Sequence, residues 1–219
     1  MFRALVYKEL REAGWIALVA LALYLAFVAN VAGYLPVPFI YRSGSYTAPF
    51  LDSQYFNFFC LVSTCFAVGL GLSQTVLESR RGTWLFLLHR PMSRRRILAV
   101  KLAVGGGLYL GCSALGIIAL GLWAEIPGNH ASPFYWWMTA DMWKVWAVIG
   151  LIYVGAFLTG MRSARWFGTR LFPLFAAGIA ALFLAAFPPW PLLRVGAGLL
   201  VAACLAVLID YKAHERDFS

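Results

Sequence analysis

Apolar and polar positions along this chain segregate into blocks. Three charge-free runs, Gly14–Leu35, Phe56–Leu77 and Leu102–Trp123, hold 22 residues each, and Val145–Met161 and Leu171–Phe187 hold 17 each. At about 1.5 Å per helical residue, some 20 residues cross a hydrocarbon core of roughly 30 Å, so each run predicts a transmembrane helix, the 17-residue pair with little to spare. Val195–Ile209 is a shorter run of 15, but Arg194 can snorkel to an interface and extend a sixth helix back to Pro191. Pro188, Pro189 and Pro191 around Trp190 then form the turn before it, because prolines inside a helix forfeit backbone hydrogen bonds. The expected fold is an all-α polytopic integral membrane protein, a single transmembrane domain over residues 1–219, with spans at about 14–35, 56–77, 97–123, 144–161, 171–187 and 191–209.

Ahead of the first run, Phe2, Leu5, Val6, Glu9 and Leu10 form a mostly apolar stripe at helical spacing, with Arg3, Lys8, Arg11 and Glu12 on the other faces. Lys8 and Glu12 are an i, i+4 pair. Residues 1–13 therefore predict an interfacial helix lying on the membrane surface, and a plain extension of span one fits the same pattern. The first apolar run is longer than the roughly 7–15 residues of a signal-peptide core and no A-x-A site follows it, so it is expected to stay in place as a span.

Composition agrees with the blocks. Hydrophobic residues make up 62% of the chain, charged residues 12%, and the mean hydropathy is +0.77, which leaves too few polar groups to coat a soluble globule. Six spans with an internal N-terminus put 15 of the 18 Lys and Arg residues on one side and only Arg42, Lys144 and Arg194 on the other. Lys and Arg in short loops are retained on the cytoplasmic side, so both termini are expected there, in what is expected to be a bacterial inner membrane. The same asymmetry, with anionic lipid, accounts for the net charge of +9 without nucleic acid. Cys60, Cys65, Cys112 and Cys204 all fall in apolar runs, with no C-x-x-C, and read as packing thiols rather than metal or disulfide sites.

The outer loops, residues 36–55 and 124–144, are short and rich in aromatics, among them Tyr41, Tyr55, Trp136, Trp137 and Trp143. Interfacial anchoring explains them, and a collar around a substrate exit is the alternative. Small-residue pairs, Gly69 with Ser73, Gly107 with Gly111, Gly155 with Thr159 and Gly196 with Gly198, can serve as packing grooves within the chain or as a dimer seam. Asn30, Ser63, Thr64, Ser73, Gln74 and Ser113 are polar residues within spans, suited to bonding neighbouring helices or to lining a path.

One inner segment has an internal order. Glu78 ends span two, Gly82 relaxes the backbone, and Trp84, Leu87 and Leu88 repeat at i, i+3, i+4, giving a helix of about two turns with one apolar face. Pro91 stops it, because the residue before a proline is pushed out of the α region, and Ser93 can cap the next helix, whose first turns carry Arg94, Arg95, Arg96 and Lys101. A short helix tied at both ends to spans can act as a lever for a cytoplasmic partner. It can equally be a basic connector with no partner.

The order Glu78, Arg81-Gly82-Thr83, Leu87-Leu88, Arg90-Pro91, Ser93-Arg94, Ile97 and Lys101 resembles the cytoplasmic loop between spans two and three of type-2 ATP-binding-cassette (ABC) exporter permeases, and Lys8-Glu9-Leu10-Arg11 resembles the helix before span one in that family. The chain departs from the family in its short length, its brief turn between spans five and six, and the extra base Arg96. The resemblance implies a transmembrane permease subunit of an ATP-driven exporter, with residues 78–96 as a cytoplasmic coupling loop. Glu78, Arg81, Gly82, Thr83, Trp84, Leu87, Leu88, Arg90, Pro91, Ser93 and Arg94 would dock a separate ABC ATPase. A second permease subunit, identical or different, would complete the pathway. ATP and magnesium would be used by the ATPase, with no cofactor or metal bound by this chain.

The sequence has no G-x-x-x-x-G-K-[ST] and no Gly-Lys pair, so phosphates are not cradled here by that route. It also lacks H-E-x-x-H and G-x-S-x-G, and no span carries a charged pair near its centre as a proton-coupled carrier would. No catalytic residue is expected. A membrane scaffold or assembly factor regulated by an ATPase would use the same loop, and an intramembrane enzyme is the remaining alternative.

Overall fold

The computed structural model describes residues 2–35, 53–77, 94–129, 133–161 and 167–186, together with the single positions 198, 201 and 207. These residues contain five long helices and no strand: α1 (Phe2–Val31), α2 (Ser53–Leu72), α3 (Arg94–Glu125), α4 (Ala140–Met161) and α5 (Phe167–Ala186). A π-helical turn, Ser73–Leu77, continues α2, and a 3-10 turn, Trp136–Thr139, leads into α4. All five helices are long and apolar enough to cross a membrane, as an integral membrane protein requires. The sixth span expected at 191–209 lies outside the described residues apart from its three single positions, which are helical.

The helices overrun the charge-free runs that predicted them. α4 begins at Ala140 and α5 at Phe167, so they have 22 and 20 residues where the charge-free runs have 17 each. The added residues include Asp141, Lys144 and Arg170, charges near helix ends that long side chains can carry to an interface. Asp141 also lies in the first turn of α4, where a carboxylate opposes the helix dipole, and accepts from Lys144 at 2.6 Å.

Residues 1–13 do not form a separate surface helix. Phe2–Val31 is one unbroken helix of 30 residues, so the extension of span one is the arrangement observed. The stripe expected to face the membrane surface instead packs against α3: Leu5 and Glu9 are buried and Leu5 joins Ile97 and Val100 in a small core, while Leu10 is exposed. No proline interrupts the segment, and its packed face, Leu5, Glu9, Ala13, Ala17, continues at i, i+4 spacing into the span.

α4 is the centre of the bundle. Of its most apolar stretch 61% is buried, against 17–39% for the other four helices, because α2 and α5 flank it and α3 also touches it. Against α2 and α5, its close approach needs glycine at three places. A Cβ on Gly71 would lie 2.7 Å from the Tyr153 carbonyl oxygen, and one on Gly155 would lie 2.9 Å from the Pro173 carbonyl oxygen; one on Gly160 would overlap the Thr75 hydroxyl. On the other side α1 lies along α3, and Ala13, Ala17, Ala20, Tyr24 and Phe27 enter the main core with Phe59, Phe66 and Tyr109.

The α1 and α3 ends are closed alike. Gly33 (φ 83°) follows α1 and Gly128 (φ 96°) follows α3, a left-handed conformation that glycine adopts without strain. Asn30 Nδ2 then donates to the Leu35 carbonyl and Asn129 Nδ2 to the Trp123 carbonyl, each at 2.7 Å.

Candidate functional site

The one cluster of buried charge among the described residues lies at the base of the 78–93 segment. Gln74, in the π turn, and Lys101, in the second turn of α3, stand on the two stems between which that segment runs. Ser73 donates its hydroxyl to the Leu70 carbonyl and Thr75 donates to the Gly71 carbonyl, each at 2.9 Å. Side chains that occupy backbone acceptors compete with the i→i−4 ladder, which explains why α2 loosens to a π turn at this point. The turn carries Gln74 inward.

Four side chains meet there. Gln74 Nε2 donates to the Lys101 carbonyl at 3.1 Å, so incoming and outgoing stems are bonded to each other. Tyr153, from the middle of α4, donates its hydroxyl to Gln74 Oε1 at 2.8 Å, with the Lys101 and Leu102 carbonyls at 3.4 and 3.3 Å. Lys101 Nζ donates to Glu9 Oε1 at 2.8 Å, which brings in α1. The Lys101 side chain is 0% exposed and that of Glu9 1%. Glycine makes the space, since a Cβ on Gly105 would collide with both the Tyr153 hydroxyl and the Gln74 amide. The result is a polar clamp joining α1, the π turn, α3 and α4.

Its depth follows from helix length. Glu9 precedes Trp15 by six residues, about 9 Å along α1, and Trp15 precedes Val31, the last residue of the helix, by 16 residues, about 24 Å, with the exposed Tyr34 in the turn that follows. Exposed aromatics at that separation mark the two faces of a hydrocarbon core of roughly 30 Å. The ion pair therefore stands about two turns outside the apolar stretch that begins at Trp15 and not at its middle. Lys8 Nζ stands 3.8 Å from Glu9 Oε1 and 3.6 Å from Glu12 Oε2, so two ammonium groups and two carboxylates alternate at this level.

Among the residues expected to dock a partner, Glu78, Arg81, Gly82, Thr83, Trp84, Leu87, Leu88, Arg90, Pro91 and Ser93 lie outside the described residues, and Arg94 is the first residue of α3. The small-residue pairs separate into kinds. Gly155 is an intrachain notch for α5, and Gly69 makes ordinary contact with Ile16 of α1. Gly107 and Gly111 meet nothing within 4 Å, so their face of α3 is open. Of the polar residues within spans, Ser63 bonds a neighbouring helix, sharing a hydrogen bond of 2.7 Å with Tyr24 of α1, and Gln74 bonds α3, whereas Ser113 and Ser73 donate to carbonyls of their own helix, Tyr109 and Leu70.

The sequence alone does not announce the clamp. Its signal was present, in a carboxylate on an otherwise apolar stripe of α1 and a lysine eight residues into an apolar α3, but nothing local pairs them. The chain matches no protein-family model, no curated protein and no solved structure.

Proposed function

We propose that this chain is the transmembrane permease subunit of an ATP-driven ABC exporter, docking a separate ATPase through residues 78–93 and working beside a second permease subunit. The observation that carries the proposal is the clamp. A segment that receives force from a soluble motor needs stems that move as one piece, and Gln74 and Lys101 bond the two stems together while Tyr153 and Glu9 tie them to α4 and α1. The residue order of the segment, the apolar helices and the lack of a phosphate-binding motif in the chain support the same conclusion. Both termini would then face the cytoplasm, which in a bacterial cell places the protein in the inner membrane. The absence of any charged group near the middle of a span favours an apolar or amphipathic cargo.

The test is co-purification with a Walker-type ATPase encoded beside this gene. The wild-type chain is expected to retain the ATPase, and Glu78→Ala or Arg94→Glu to release it. Equal recovery from both variants removes the docking assignment. If the complex forms but cargo moves with a hydrolysis-dead ATPase, the chain is a carrier or channel; if it forms and no cargo moves, the ATPase-regulated scaffold takes its place.

A further inference from the structure

The outward face of α1 carries a second pattern, on the side opposite the clamp. Arg3, Tyr7, Arg11 and Trp15 recur every fourth residue and all are exposed, with Tyr7 at 69% and Trp15 at 62%. The same face continues through Leu18 and Leu25, also exposed, as a lipid-facing side of the span would. Trp15 marks the hydrocarbon boundary, and Arg11 stands one turn beyond it, about 6 Å, within the headgroup layer of roughly 5–8 Å on each side of the core.

The charge at Arg11 is not neutralised by the neighbouring acids. Lys8 stands by Glu9 and Glu12, and Lys101 bonds Glu9, whereas Arg11 makes no ion pair among the described residues. A guanidinium at phosphate depth, between a tyrosine one turn outward and a tryptophan one turn inward, matches a lipid phosphodiester in both charge and polarity gradient. Its planar fork binds phosphate oxygens in pairs, the Trp15 ring one turn inward fits the glycerol and upper acyl region, and Tyr7 one turn outward offers its hydroxyl to the hydrated edge of the headgroup.

We propose that Tyr7, Arg11 and Trp15 form a binding surface for the headgroup of an anionic glycerophospholipid, in the leaflet that meets the first turns of α1. Arg3 lies a further two turns out and adds attraction that falls off within a Debye length. The surface does not depend on the proposed function or on which side of the membrane the termini lie.

Native mass spectrometry of the full chain, released from micelles doped with phosphatidylglycerol or phosphatidylcholine, tests this. The wild type is expected to retain phosphatidylglycerol in preference to phosphatidylcholine, with the preference falling about fivefold in Arg11→Gln and by clearly less in Arg11→Lys, which keeps the charge but not the fork. Lys144→Gln, at the opposite end of the bundle, is expected to leave it unchanged. Equal retention of the two lipids by the wild type overturns the proposal, as does an undiminished preference in Arg11→Gln. An equal fall in Arg11→Gln and Arg11→Lys also overturns it, because charge would then not be the cause.

Discussion

Lys101 and Glu9 are 92 residues apart in sequence, and Lys101 Nζ donates to Glu9 Oε1 at 2.8 Å with both side chains buried. Desolvating two charges is expensive, and a bond of this kind is maintained where the geometry compensates each of them. Here the carboxylate also has Lys8 within 3.8 Å, and the backbone of Lys101 accepts from Gln74, so the lysine holds α1 through its side chain and α2's end through its carbonyl.

Removing one partner leaves the other charge buried and uncompensated. Glu9→Leu and Lys101→Met are each expected to destabilise the protein by about 3–5 kcal/mol, read as a fall in thermal midpoint in one detergent, and the double variant by less than either single one. Additive losses in the double variant would show that the two residues act independently.

Glycines on the same helix should behave in opposite ways. Gly105→Ala places a methyl group against the Tyr153 hydroxyl and the Gln74 amide and is expected to cost about 1–3 kcal/mol. Gly107→Ala, two residues on and open, is expected to leave stability unchanged or raise it by up to about 1 kcal/mol, since alanine is the better helix former. Similar thermal midpoints for the two variants would contradict the clamp geometry.

The open face at Gly107 and Gly111 gives the second-subunit assignment a separate test. If two permease subunits meet there, Gly107→Leu is expected to shift the protein from dimer to monomer in light scattering while the monomer stays folded, since among the described residues a Cβ at Gly107 meets no neighbouring helix within 4 Å. A dimer that tolerates leucine at both Gly107 and Gly111 uses another face.

The clamp should matter for coupling more than for docking. Tyr153→Phe removes only the hydroxyl that bonds Gln74, and Gln74→Leu also removes the bond between the stems. Both variants are expected to bind the ATPase like wild type while cargo moved per ATP hydrolysed falls, more in Gln74→Leu. An unchanged ratio in both would mean that the stems transmit motion without the clamp.

Five spans were legible in the sequence because spanning is a local property. A run such as Phe56–Leu77 must be long enough for the bilayer and free of charge, and its own residues decide both. Helix ends are less legible, since the charge-free runs begin only at Val145 and Leu171 whereas the helices begin at Ala140 and Phe167, because charges near an interface are tolerated within a helix.

What the sequence by itself determined is therefore the five helices long and apolar enough to cross a membrane and the order of residues between Glu78 and Lys101. Tertiary structure decided which face each helix turns inward. It placed Glu9 against Lys101 instead of on a membrane surface, made Gly155 a notch for α5 and left Gly107 open, and assigned Asn30 to closing a turn. A glycine or a lone carboxylate looks the same in any apolar run. Its role is set by what packs opposite, and in this bundle those neighbours come from helices tens of residues away.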